Sequence, residues 1–119
     1  MHVEQKVSDQ DKVELKKLAR VLRAFMGVQK AMPVSRALLF LEIAFEEGLT
    51  TTELAQRTGS TVPVTTRQML DIGEYNRSNE PGLGLVQHHT DLSDRRRNSV
   101  QLTPRGTSLA RQLAGLTRK

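Results

Sequence analysis

Between Ser8 and Lys30, Leu15, Leu18, Val21, Leu22, Phe25 and Met26 recur at helical spacing on one face, while Lys12, Lys16, Lys17, Arg20 and Arg23 occupy the other. Ser8 with Asp11 three residues on reads as a capping box that opens this helix, placed at 8–30. Met32-Pro33 breaks it, because proline lacks an amide donor and pushes the preceding residue out of the α region. A second helix then starts near Ser35 and ends at Glu47-Gly48. Its stripe is Ala37, Leu38, Leu41, Ala44 and Phe45, widened by Leu39, Phe40 and Ile43, a pattern that predicts a largely buried core helix.

Thr50 and Glu53 repeat the capping-box spacing ahead of Leu54 and Ala55, and Gly59 supplies a left-handed residue that stops a helix of two turns. The next helix, 61–74, places Thr66, Met69 and Ile72 inward and Val64, Arg67, Gln68 and Asp71 outward. A short helix, a glycine turn and a second helix form the arrangement that reads DNA, and Arg and Gln on the second helix can pair bidentately with guanine and adenine edges. Tyr75 to Leu83 is polar and turn-rich, which reads as a loop.

From Gly84 to Thr103 the pattern changes period. Asn98, Val100 and Leu102 alternate with Ser99, Gln101 and Thr103, as a half-buried strand requires, and a weaker strand precedes them. Asp94, Arg95, Arg96 and Arg97 lie between the two strands. No core accepts three consecutive cations, so the hairpin tip faces solvent or an anion. Thr103 caps a last helix, 104–117, that begins with Pro104 and aligns Leu109, Leu113 and Leu116. The predicted fold is mainly α with a small β-hairpin: about five helices in a single domain over 1–119, with a helix-turn-helix and hairpin at 50–103.

Charge sharpens this picture. The net charge is +5, and residues 1–56 hold eight basic and eight acidic side chains, so the excess lies wholly in the second half. A basic half beside a neutral half points to an anionic polymer. The charged start MHVEQKVSDQDK and the lack of an 18-residue apolar run predict no membrane span and no signal peptide, hence a cytoplasmic protein. Without cysteine there is no disulfide, thiolate metal site or thiol switch. His88 and His89 are strand neighbours that point to opposite faces and so share no metal. No nucleophile, paired-carboxylate or phosphate-loop arrangement is visible, so neither an enzyme nor a cofactor or metal is expected.

Two segments together resemble the MarR-like winged helix-turn-helix transcription regulators. TTTELAQRTGSTVPVTTRQMLDI matches the helix-turn-helix, and Gly84-Leu85-Val86 is followed by Asp94-Arg95-Arg96, five residues, Leu102-Thr103 and Gly106. The resemblance covers roughly Ser35 to Leu113. It departs from the family in a longer interval from Ile72 to Gly84 and in ending after one C-terminal helix.

The resemblance implies a homodimeric regulator of transcription, a repressor rather than an activator. Helix 61–74 would lie in the major groove of double-stranded DNA and the 84–103 wing in the minor groove. The implied contacts are Thr61, Val64, Thr65, Arg67, Gln68, Arg95, Arg96 and Arg97, with Asp94 orienting Arg96. Helices 8–30 and 104–117 would join the subunits. A small-molecule effector is a weak expectation, because one Tyr, three Phe and no Trp leave few aromatic walls. The alternative is an architectural or protein-interaction winged helix, such as a replication or phage accessory factor, that binds without choosing a promoter.

Overall fold

The computed structural model describes residues 6–74, 78, 80–90 and 98–118. Among them are five helices and three strands: α1 (Asp9–Val28), α2 (Val34–Phe45), β1 (Leu49–Thr50), α3 (Thr51–Thr58), α4 (Val62–Ile72), β2 (Val86–Thr90), β3 (Asn98–Leu102) and α5 (Pro104–Arg118). The strands form an antiparallel sheet in the order β1-β3-β2. The hairpin registers Val86 against Leu102 and Thr90 against Asn98, while β1 pairs Leu49 with Val100. The sequence reading lacked β1, since a two-residue strand exists only through its distant partner β3.

The caps stand where the spacing put them. Ser8 and Thr50 each accept from the backbone three residues on, and Asp11 and Glu53 close both boxes. Gly59 takes the left-handed conformation, φ 69°, that ends α3. Two threonines join sheet to helices. Thr50 ends β1 and caps α3, whereas Thr103 follows β3, donates to the Gly84 carbonyl at 2.6 Å and accepts from the Gly106 amide at 3.0 Å.

The core gathers Phe25, Leu39, Phe40, Ile43, Leu49, Leu54, Met69, Ile72, Leu85, Val86, Val100, Leu109 and Leu113. Phe25 of α1 and Phe40 of α2 meet edge to face, with ring centroids 6.1 Å apart. The expectation that α2 is largely buried needs correcting. On α2 the buried residues are Ala37, Leu39, Phe40 and Ile43, whereas Leu38, Leu41 and Phe45 are exposed. With Val34 they form a second apolar stripe at i, i+4, i+7 and i+11, and Phe45 is 82% exposed. On α1 only Phe25 is buried, and Leu15, Leu18, Leu22 and Met26 form a bare stripe. Helix α1 packs mainly on α5.

No helix among the described residues is long and apolar enough to cross a membrane. The α5 start is set by close approach, since a methyl group at Gly106 would overlap the Leu85 carbonyl oxygen. Gly106→Ala should therefore lower stability by about 1 to 3 kcal/mol in urea unfolding. Gly115→Ala, with open space around it in the same helix, should instead raise stability by up to about 1 kcal/mol.

Candidate nucleic-acid interface

Helix α4 starts at a side-chain cap. The Thr61 hydroxyl accepts from the Val64 amide at 3.3 Å, and Pro63 occupies the first turn, where its missing donor is harmless. Its far end is tied to the wing. The amides of Leu83, Gly84 and Leu85 donate to the carbonyls of Asp71, Gly73 and Ile72 at 3.0, 2.8 and 2.8 Å. These bonds satisfy carbonyls that a helix end otherwise leaves unpaired, and they make α4 and the entry to β2 one rigid piece.

The rotation of α4 differs from the sequence reading. Thr65, Met69 and Ile72 are its buried residues, so Thr65, not Thr66, is the third inward position. Thr65 is 2% exposed and its hydroxyl donates to the Thr61 carbonyl at 2.8 Å, which removes it from the set that could touch DNA. Thr66 and Arg67 are exposed in its place, beside Pro63 and Leu70. Thr61 and Val64 are exposed as expected, with Val64 turned toward the α2 side in a small cavity with Ser35 and Gln68.

Gln68 and Asp71 are corrected too. They do not point away from the protein but are held by Arg36 of α2. The Arg36 Nε donates to Gln68 Oε1 at 2.7 Å, and Nη2 pairs with Asp71 Oδ2 at 2.8 Å. Nη1 donates to Gln29 Oε1 at 2.7 Å at the end of α1. Gln68 completes its amide by donating to the Ser35 hydroxyl at 3.2 Å. The pattern of apolar residues carried no sign of this network. Its one trace was the basic residue at position 36, inside a helix whose other residues, Ser35 and Glu42 apart, are apolar.

Asp94, Arg95, Arg96 and Arg97 lie outside the described residues. His88 and His89 are both exposed and pair across the hairpin with Val100 and Ser99. Among the described residues no group of three His, Cys, Asp or Glu side chains could hold a metal.

No family model and no curated protein sequence matches the chain. Solved structures do match its fold. S. aureus MepR in complex with DNA superposes with a TM-score of 0.68 at 15% identity, over 93% of this chain and 84% of MepR. A MarR-like transcriptional regulator from Thermotoga maritima matches with a TM-score of 0.65 at 19% identity, over 93% of this chain and 77% of the other. A MarR transcriptional regulator from Methanosarcina mazei Go1 gives 0.61 at 16% identity, over 90% and 73%. With an exposed α4, a short three-stranded sheet and an α5 docked through Thr103, this chain has the MarR-like winged-helix fold.

Proposed function

We propose that the protein is a homodimeric, cytoplasmic DNA-binding regulator of transcription, acting as a repressor, without enzymatic activity. The observation that carries this reading is α4, fixed at both ends, with its Thr66 and Arg67 side chains free on the outward surface. In the proposed complex α4 enters the major groove. Arg67 reads a guanine edge there, Thr66 lies against bases or sugar, and Thr61 at the helix start approaches a phosphate. The wing carries Arg95, Arg96 and Arg97 to the adjacent minor groove, whose narrow form concentrates negative potential.

The two bare stripes support a dimer. Leu15, Leu18, Leu22 and Met26 of α1 and Val34, Leu38, Leu41 and Phe45 of α2 are too many large apolar side chains for a monomer to leave wet. Between them runs a groove of ≈ 630 Å³ lined by Leu18, Val21, Leu38, Leu41, Phe45 and Leu113, among others. The α2 stripe alone is about 16 Å long. That length suits the helices of a second copy better than a small-molecule effector, so the proposal assigns the groove to the partner.

The experiment for DNA reading is selection of bound duplexes from random sequence, followed by titration of variants on the selected and a scrambled duplex. Arg67→Ala should lose on the order of 1 to 3 kcal/mol on the selected duplex and much less on the scrambled one. Equal affinity of the native protein for both duplexes would favour the architectural reading instead. For assembly, sedimentation equilibrium should give a dimer at tens of micromolar, with half-sites about 10 bp apart, and Phe45→Glu should give a folded monomer. A native protein that stays monomeric both free and on DNA removes the dimer. At the wing, Asp94→Ala should weaken binding although it deletes an anion beside a polyanion, because Asp94 preorganises Arg96. Arg96→Ala should lower the log-log salt slope by about 1. Tighter binding by Asp94→Ala, or additive effects in the double mutant, would show that the pair does not act as a unit.

A further inference from the structure

The geometry points to Arg36, a residue outside the DNA-facing surface, as the positioning residue that sets the sequence preference of α4. This inference rests on the DNA-reading role proposed above and names the side chain that controls it. Arg36 lies in the first turn of α2, and its side chain is 12% exposed. Each of its three nitrogens has a separate acceptor: Gln68 and Asp71 on α4, and Gln29 at the end of α1. A guanidinium committed in this way has little left to offer a phosphate.

Two of these bonds fall on positions i and i+3 of α4, one turn apart. A single contact would let the helix roll or slide along α2, whereas two contacts from one planar group fix both motions. The backbone bonds from Leu83, Gly84 and Leu85 hold the last turn of α4, and the inward side does not by itself set the rotation of the turns before it. Thr65, Met69 and Ile72 make non-directional contacts, and packed cores tolerate small shifts when volume is kept. A roll of one residue position swings every side chain by about 100°. Such a roll would carry Arg67 off the outward face.

The network also decides what Gln68 can do. Its oxygen accepts from Arg36 and its nitrogen donates to Ser35, so the amide is turned toward α2 and away from the orientation in which it would pair with adenine. A small hollow lined by Arg36, Val64, Arg67, Gln68 and Asp71 separates the network from the outward surface. Releasing Gln68 into this hollow would add a second reader beside Arg67 and change the preferred sequence. Lysine cannot stand in for Arg36, because a single ammonium does not reproduce a planar fan of donors aimed at three acceptors.

The test compares the native protein with Arg36→Lys and with Asp71→Asn, which removes the charged partner while keeping its shape. Nitrogen-15 NMR reads the Gln68 side-chain amide directly. Random-duplex selection and titration on the selected and a scrambled duplex read the consequence. Both variants are expected to shift the Gln68 amide and speed its exchange. They should weaken the native selected duplex about tenfold, leave the scrambled duplex within about twofold, and select a different sequence. An unchanged Gln68 amide in both variants overturns the positioning role whatever the DNA results. An altered amide with equal losses on both duplexes overturns the role in sequence preference. If the native protein selects no sequence, DNA reading by α4 fails and the specificity role fails with it, while the amide still shows whether Arg36 holds the helix.

Discussion

Helix α2 is the constraint around which the chain is arranged, because it packs at once against α3, α4, β3 and α5. Leu39, Phe40 and Ile43 lie under these elements and are almost fully buried. Each such side chain contributes on the order of 1.5 to 3 kcal/mol by leaving water, so the position of every other element is referred to this face. The opposite side of α2 is apolar as well, yet it stays bare. One helix therefore supplies both the centre of the fold and a bare apolar surface.

Hydrophobic burial brings the layers together but does not fix their geometry, and polar side chains at the junctions do. Thr50 and Thr103 each end a strand, or directly follow one, and cap the helix that comes next. Moving either by one residue would unpair a helix terminus and flip strand side chains to the wrong face. Arg36 performs the corresponding task between α2 and α4, ahead of the α4 end that the backbone bonds from Leu83, Gly84 and Leu85 hold. In each case a directional bond selects one arrangement among several that would bury similar apolar area.

Formal charge is an incomplete guide to such a molecule. The excess positive charge lies in the second half of the sequence, where α4, the wing and α5 are, and this agrees with a polyanionic partner. Individual cations serve different ends. Arg36 belongs to the electrically balanced first half and acts internally, and Arg57 pairs with Glu46 at 3.1 Å on the surface. Arg67 is exposed on α4, so the functional weight of a cation depends on its acceptors more than on its place in a charge count.

The sequence by itself determined the helices, their caps, the hairpin and the order of elements. All of these follow from local periodicity and from interactions three or four residues apart. Ser8, Thr50, Gly59 and Thr103 were legible because a cap or a left-handed turn needs only its own neighbours. The rotation of α4 was not legible. Met69 and Ile72 permit either Thr65, four residues before Met69, or Thr66, three before it, as the third inward member, and hydropathy does not separate two threonines. The same limit hid the bare side of α2, since a helix apolar on two faces does not say which face its own chain will cover. Strand β1 and the Arg36 network lay further beyond reach. The partners of Leu49 and Gln68 stand about 30 to 50 residues away, and only the tertiary structure, by closing those distances, decided that Leu49 meets Val100 and that Gln68 faces Arg36 rather than solvent.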